Sequence, residues 1–584
     1  MEAVREGTPA VGSGSVLHFL KYRGFGIASG AVAFAFIFFF VYPLARMLHY
    51  AFFQDGQFST RSFEETFADP HLGPLLVDTL IVTGLSSVIA MIIATLFAWL
   101  NERTDAAMGW ASRLLPLVPL MLPPIALSTG WFFLGHERAG LLNVGIRALT
   151  GAVGIERWAE AGPINIASWG GLIFAYTLYL VPFAYLLVAA AFRNFDSSLE
   201  EASRVAGAGS WRTFRHVSAP GVLPAISAAV FLVGVTALSN FSIPVIIGSV
   251  ARIDVLSVRI VRLVRDAYPP RIDEAVVLSL FVILAVGVLF WLQRLISARK
   301  RHVTISGKGV YASKIPLGPW KWVARTIMIV YIAAASVVPL LGLLFVSLQR
   351  FWSSHITWQS FTFDVLLALF SGDNLTKKAL QTSVLLGIVG ATLGILIATM
   401  LMLYVRQRKG GFARFVDASA KAPSAVSHTV IGLAMVIALA GVPFYLAGTL
   451  TILLIAYLVI YMPQAAISTG SGIDQVGGEL LEASSVAGAS NSRTFFRITL
   501  PLTRPALAAG WALLFVMMVG DLTASALLAT NANPVVGFVI YDIFNSATYA
   551  SLAAIACVVG SISFAVVCTV LAFSRSGAAG QASQ

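Results

Sequence analysis

Charge is what this chain has least of. Only 11% of its 584 residues are Asp, Glu, Lys or Arg, against roughly a quarter in an average soluble domain. With 58% hydrophobic residues, that scarcity excludes a water-soluble globule of this size and leaves an integral membrane protein. Strand-type alternation of apolar and polar residues is missing, which excludes a β-barrel. Cysteine is nearly missing too. Cys557 and Cys568 share the last apolar run, where eleven residues of helix separate them by about 16 Å, too far for a disulfide. They read as packing residues. No cysteine-based metal site exists, and the eight histidines lack metal-ligand spacing; His428 reads as a satisfied polar group within a span. There is no visible catalytic cluster of His, Asp, Glu or Ser. There is no Gly-x-x-x-x-Gly-Lys-Ser/Thr phosphate loop either, since Gly307-Lys308 lacks the rest. The segment Met1 to Arg23 carries no small-residue cleavage site behind a short apolar core. The run that follows is therefore expected to be a first span, not a removed signal.

What is present is a dozen apolar runs of roughly 20 residues, the length that crosses a bilayer core of about 30 Å. They fall at 27–48, 77–100, 114–135, 168–192, 221–245 and 274–296, then at 324–348, 379–404, 423–442, 446–468, 505–529 and 549–573. The net charge of +12 does not point to nucleic acid, because the basic residues sit in loops between spans. With the N-terminus (1–26) and tail (574–584) cytoplasmic, 26 of the 39 Lys and Arg fall on the cytoplasmic side. That bias supports the orientation. The densest basic cluster is that of the central linker, 297–323 with Arg294 just before it, and comprises Arg294, Arg299, Lys300, Arg301, Lys308, Lys314 and Lys321. It reads as a topology anchor near anionic lipid.

The chain repeats itself. A shift of 281 residues places Glu201-Ala202-Ser203 on Glu482-Ala483-Ser484, Val205-Ala206-Gly207-Ala208 on Val486-Ala487-Gly488-Ala489, and Arg212-Thr213-Phe214 on Arg493-Thr494-Phe495. From Glu201 to Pro220, eleven of twenty positions are identical. Upstream, Thr79 pairs with Thr382 at a shift of 303, so the first half carries about 22 extra residues, expected in the outside loop 136–167. Six spans per half is an even number, so both halves enter the membrane in the same sense. The expected fold is an all-α integral membrane protein of about twelve transmembrane helices, arranged as two parallel six-helix repeats, 27–296 and 324–573.

The repeated segments, 196–220 and 474–501, read as a short helix, a glycine turn and a second short helix. Asp196, Ser197 or Ser198 can cap the first helix, and Ser210 or Asn491 the second. Small residues allow close approach of another surface, and Glu201 and Glu482 each offer one charge to a basic partner.

At these residues the chain resembles the permease subunits of binding-protein-dependent ABC importers. Their signature loop reads Glu-Ala-Ala, three residues, Gly, then a hydrophobic residue and Pro. Here it is Glu201-Ala202-Ser203, Gly207, Val217 and Pro220, and again Glu482-Ala483-Ser484, Gly488, Ile498 and Pro501. Both copies have Ser for Ala at the third place. The resemblance covers nearly the whole chain, and a fused pair looks like the ferric-iron branch, whose relatives carry thiamine, polyamines, sulfate and phosphonates. It implies a type I importer fold in a bacterial inner membrane, with the loops as coupling helices carrying Glu201, Ala202, Gly207, Arg212, Glu482, Ala483, Gly488 and Arg493. It further implies a separate ATPase homodimer on the cytoplasmic side, holding ATP and Mg, and a periplasmic solute-binding protein. This chain itself needs no cofactor. The rival reading is an ion-coupled secondary transporter of two six-span halves, against which stand the duplicated loop and the few intramembrane charges.

Polar groups within spans are costly and so are candidates for function. Asp521 is the clearest, and Asn240 is its partner at the 281 shift. They either line a translocation pathway or cap breaks in their helices. Arg259, Arg262 and Arg265, three apart on one helix side, lie in an outside loop against the charge bias. Docking of an acidic binding protein, attraction of an anionic solute, and pairing with Asp254, Asp266, Asp273 and Glu274 are the alternatives. Pro123-Pro124 and Pro423 are expected to kink the third and ninth spans.

Overall fold

Long apolar runs have one way to satisfy their backbone in hydrocarbon, which is to bond it internally as helix. The computed structural model follows that rule. It describes residues 14–299 and 314–581, apart from 55, 110–117, 121, 155–157, 159, 354–357, 372–373 and 409. The linker residues Lys300, Arg301 and Lys308 and both chain ends lie outside the described residues, as does the start of the third expected span. Sheet among the described residues is limited to a hairpin, Phe53–Gln54 against Gln57–Phe58.

Nine helices among the described residues are long and apolar enough to cross a bilayer, or eleven if two bent pairs each count as one. The shortest of the expected segments are the third of each half. Pro124–Gly135 and His428–Leu439 have 12 residues each. They rise about 18 Å against about 30 Å of hydrocarbon. Pro124 opens its helix in the first turn, where its missing N–H leaves no bond unmade. Pro423 lies in a short turn just before a 103° bend between Gly411–Ala425 and His428–Leu439. These prolines therefore start or separate helices; they do not kink continuous spans. Gly411–Lys421 buries only Ala413, Val416 and Ala420, the spacing of a single amphipathic face.

The fifth segments also stop short of their expected ends. Leu223–Ser239 ends at Asn240, and Leu500–Val519 ends at Gly520, with Thr523–Leu528 resuming after Asp521. The extra length expected in 136–167 is real. Residues 136–168 join the third and fourth segments of the first half and include a helix, Leu141–Ala152, where 440–449 suffice in the second.

The halves exchange their first spans. In the second half, Trp320–Ser347 packs on the third segment of the first, where Trp131 Nε1 donates to the Ala334 carbonyl at 2.9 Å. Gly130 allows that approach, since a Cβ there would lie 2.5 Å from the Pro339 carbonyl oxygen. In return, Met47 and Ala51 of the first helix share a buried cluster with Val430, Leu433 and Ala434. Interdigitated packing of this kind makes the two repeats one body.

Candidate functional site

The duplicated loop has the same construction in both copies. Ser197–Val205 and Gly478–Val486 form nine-residue helices. Asp196 caps the first by accepting the Ser198 N–H at 2.9 Å, which holds its carboxyl below the usual carboxylate range. Gly477 stands in its place in the second copy. Each helix ends on a glycine in the left-handed region, Gly207 at φ 81° and Gly488 at φ 73°. The next N–H then turns back: Ala208 donates to the Ser203 carbonyl at 3.1 Å and Ala489 to the Ser484 carbonyl at 3.0 Å. This is the six-to-one closure that a left-handed residue permits. The second helices, Ser210–Thr213 and Asn491–Thr494, each run into a π-helical turn, Phe214–Ser218 and Phe495–Thr499.

The serine at the third motif position has a task. Ser203 Oγ lies 3.0 Å from Thr213 Oγ1, and Ser484 Oγ lies 2.7 Å from Thr494 Oγ1. Each bond clasps the two short helices together, and alanine could not make it.

The outward face is set by what these bonds leave free. Glu201, Ala202, Gly207, Arg212, Glu482, Ala483, Gly488 and Arg493 are all exposed. So are four apolar residues that sequence reasoning missed as surface: Val205 is 90% exposed and Val486 88%, with Leu199 at 53% and Leu480 at 49%. The signal was available, because Leu pairs with Leu and Val with Val across the repeat. The same apolar side chains are held out at the same places in both copies.

Asn240 and Asp521 sit at the helix breaks, 7% and 5% exposed. Asn240 Oδ1 accepts the Ile243 N–H at 3.0 Å, and its carbonyl accepts from Ser257 Oγ at 2.9 Å and Tyr176 Oη at 3.4 Å. Asp521 Oδ1 accepts from Tyr461 Oη at 2.9 Å; its Oδ2 accepts the Ser525 N–H at 3.0 Å and Ser525 Oγ at 3.3 Å. Tyr457 Oη lies 2.8 Å from Ser525 Oγ. Both residues therefore cap the chain that restarts behind them, and Asp521 gathers the richer shell. Tyr176 and Tyr457 are repeat partners, whereas Tyr461 faces Leu180 in the other copy. The His428 ring stands 5.6 Å from that of Tyr461. Among the described residues, no group of three or more His, Cys, Asp or Glu is placed to hold a metal ion.

Arg259, Arg262 and Arg265 lie on one short helix, Leu256–Arg265, and all have partners in this chain. Arg259 contacts Asp69 at 3.4 Å and Glu274 at 3.5 Å. Arg262 bonds Asp254 at 2.7 Å and Ser249 Oγ at 2.6 Å. Arg265 crosses to the other half, where it stacks 4.3 Å from the Phe538 ring and 4.6 Å from that of Tyr541 and donates to the Ala526 carbonyl at 3.2 Å. Tyr541 in turn donates to Asp266 at 2.5 Å. Burial pulls the Arg265 guanidinium below its ordinary value. Pairing within the chain, one of the alternatives for these arginines, is thus present for all three.

Comparison with known proteins agrees with this architecture. The family model for binding-protein-dependent transport system inner membrane components matches twice, over residues 86–302 and 390–576. The ferric transport system permease protein FbpB of Actinobacillus pleuropneumoniae is 21% identical over 497 residues, covering 84% of this chain and 70% of the relative. The Fe(3+)-transport system permease protein FbpB 2 of Haemophilus influenzae is 23% identical over 501 residues, covering 84% of this chain and 88% of its own length. A solved bacterial ABC transporter that imports the acidic polysaccharide alginate superposes with a TM-score of 0.39 at 16% identity, over 49% of this chain and all of that one. The two family matches cover more than half of the chain and fall one on each repeat. The chain therefore belongs to the binding-protein-dependent transport system inner membrane components, as a fused, multi-pass permease subunit of an ABC importer.

Proposed function

We propose that this permease carries ferric iron inward, fed by a periplasmic binding protein and driven by ATP hydrolysed, with Mg, on a separate ATPase dimer. The observation that carries the reading is the exposed loop built twice. Two equal surfaces on one side of one chain fit a partner with two equal sites, and the side fits the cytoplasmic bias of Lys and Arg. Glu201 and Glu482 supply the charged contact, with Val205 and Val486 beside them as the apolar one. Asp521 and Asn240 are the proposed pathway residues, a reading supported by two buried polar groups at matching helix breaks. The docking role expected for Arg259, Arg262 and Arg265 does not enter the proposal, because each guanidinium is engaged within this chain.

The iron assignment rests on the relatives that span 84% of the chain. The test is uptake of radioactive iron into proteoliposomes holding the permease and its ATPase, with iron-loaded binding protein and ATP. Uptake that requires all three components supports the proposal. Uptake of thiamine, polyamine, sulfate or phosphonate in place of iron would keep the machinery and replace the solute. Uptake driven by an ion gradient without ATPase would overturn both.

A further inference from the structure

The second spans are too long for the membrane they cross. Leu72–Arg103 has 32 residues and Leu375–Gln407 has 33. At 1.5 Å per residue each runs close to 50 Å, well past about 30 Å of hydrocarbon. The C-terminal ends of both reach the coupling loops, and both carry an arginine there. Arg103 and Arg406 are 303 residues apart, the shift that relates these spans.

Each arginine reaches the start of the coupling loop in its own half. Arg103 donates to the Phe195 carbonyl, and Arg406 donates to the carbonyls of Ile473 and Val476. Phe195 and Val476 are themselves repeat partners at the 281 shift. The same guanidinium-to-carbonyl bond is therefore made twice, at the last residues before the loop helix.

From this we infer that Arg103 and Arg406 are positioning residues for energy coupling, each tying a coupling loop to a span with which it has no covalent continuity. The inference rests on the coupling role proposed above. The loop's own ends continue into the fourth and fifth spans, so a push on it reaches those two through the chain. It reaches the second span only through contact, and a charged fork on backbone carbonyls is a stiff contact.

The two ties differ in strength. In the first copy Arg103 also faces Glu200, Nε to Oε2 at 3.5 Å, with the side chains 5% and 4% exposed. Ser218 Oγ donates to Glu200 Oε1 at 2.5 Å. The linker joins the same knot, as Ile315 N–H donates to the Arg103 carbonyl at 2.9 Å. In the second copy Leu481 stands where Glu200 would be. Arg406 meets Asp474 at 3.5 Å, but that acid is 79% exposed, and an exposed pair contributes little. Loop one is locked by a buried ion pair, and loop two by carbonyl bonds.

The test uses the full complex in proteoliposomes, with iron-loaded binding protein as the probe, and reads iron moved per ATP hydrolysed. Arg406→Met keeps the apolar stem and removes the donors. It should lower that ratio about tenfold, within the range usual for coupling between sites, while ATPase binding and stimulated hydrolysis persist. Arg406→Lys should restore part of it. Arg103→Met alone would strand a buried carboxylate, so the first copy is tested as Arg103→Met with Glu200→Leu, which reproduces the second copy's residue. An unchanged ratio in both, or equal losses of transport and hydrolysis with no recovery by lysine, overturns the inference. Glu201→Ala with Glu482→Ala is run alongside. If that pair uncouples transport and the arginine variants do not, only the present inference fails; if the pair also leaves the ratio unchanged, the coupling role beneath it fails.

Discussion

Gly207 allows a sharp test of how the coupling loop holds its shape. Its φ of 81° lies where L side chains rarely sit, and a Cβ built on it meets nothing within 4 Å. Substitution there costs backbone strain and no clash within this chain. Strain of about 1–2 kcal/mol is expected for alanine in the left-handed region. Asparagine, which tolerates that region, should cost less, and β-branched valine more. In a loop held only marginally in its docking form, 1–2 kcal/mol lowers the competent fraction about 5- to 30-fold, and affinity for the ATPase falls by the same factor. The assay is ATPase binding to the permease in nanodiscs, with Gly207→Asn, Gly207→Ala and Gly207→Val compared. The order of affinity should be Gly, Asn, Ala, Val. Size alone would put Asn behind Ala. That inverted order would refute the backbone argument and mean that the partner's surface lies against Gly207. Gly488, at φ 73° with the same open surroundings, should give the same order independently.

Three further outcomes follow from named bonds. Ser203→Ala or Ser484→Ala removes the clasp to Thr213 or Thr494 at about 1 kcal/mol, so amide exchange in that loop should rise roughly fivefold; an unchanged rate would mean the clasp is idle. Tyr461→Phe takes a donor from a buried carboxylate and should cost about 1.5–3 kcal/mol, whereas Tyr457→Phe removes a bond to the neutral Ser525 and should cost about 0.5–1.5 kcal/mol. Thermal unfolding in detergent reads the order, and equal shifts would contradict it. Arg265→Met breaks the cross-half stack on Phe538 and Tyr541, a contact worth up to about 2 kcal/mol when desolvated. Spin-label distances between Leu256–Arg265 and Val536–Asn545 should broaden, and an unaltered distribution would show that other contacts hold the outer ends together.

Composition and periodicity were enough to read the membrane class, the repeat and the loop, because apolar runs and internal identity are properties of the string itself. They did not show where a helix stops inside an apolar run. A hydropathy window registers transfer free energy and is blind to whether the backbone is continuous through Pro124, Asn240, Pro423 or Asp521. The alternatives left open for Asn240 and Asp521 included the capped break that the structure shows, though a cap can still face a solute. The arginines were illegible for another reason. Arg259 meets an aspartate 190 positions away and Arg265 a carbonyl 261 away, distances at which no local pattern operates. Arg103 and Arg406 were within reach, since a 303-residue shift aligns them. They were hidden because the loop they serve aligns at 281, and no single shift shows arginine and carbonyl together.

The two halves have diverged unevenly, and the unevenness is what the proposed function would lead one to expect of each surface. On the coupling side the copies keep the same glycine stop, the same serine–threonine clasp and the same exposed Leu, Glu and Val. A partner of two equal subunits requires equal surfaces, and divergence there would misfit one of them. Deep in the membrane the copies differ: Asp521 stands against Asn240 and Tyr461 against Leu180. On the proposed pathway a single solute would meet both copies at once and would impose no equality on them. Two non-identical copies are what allow this, because a homodimeric permease would carry every substitution twice. The expected consequence is that exchanging the pair, Asp521→Asn with Asn240→Asp, leaves ATPase docking unchanged and alters transport. Equal transport by the exchanged chain would show that the solute does not distinguish the two sides, and that the asymmetry of the buried breaks serves packing alone.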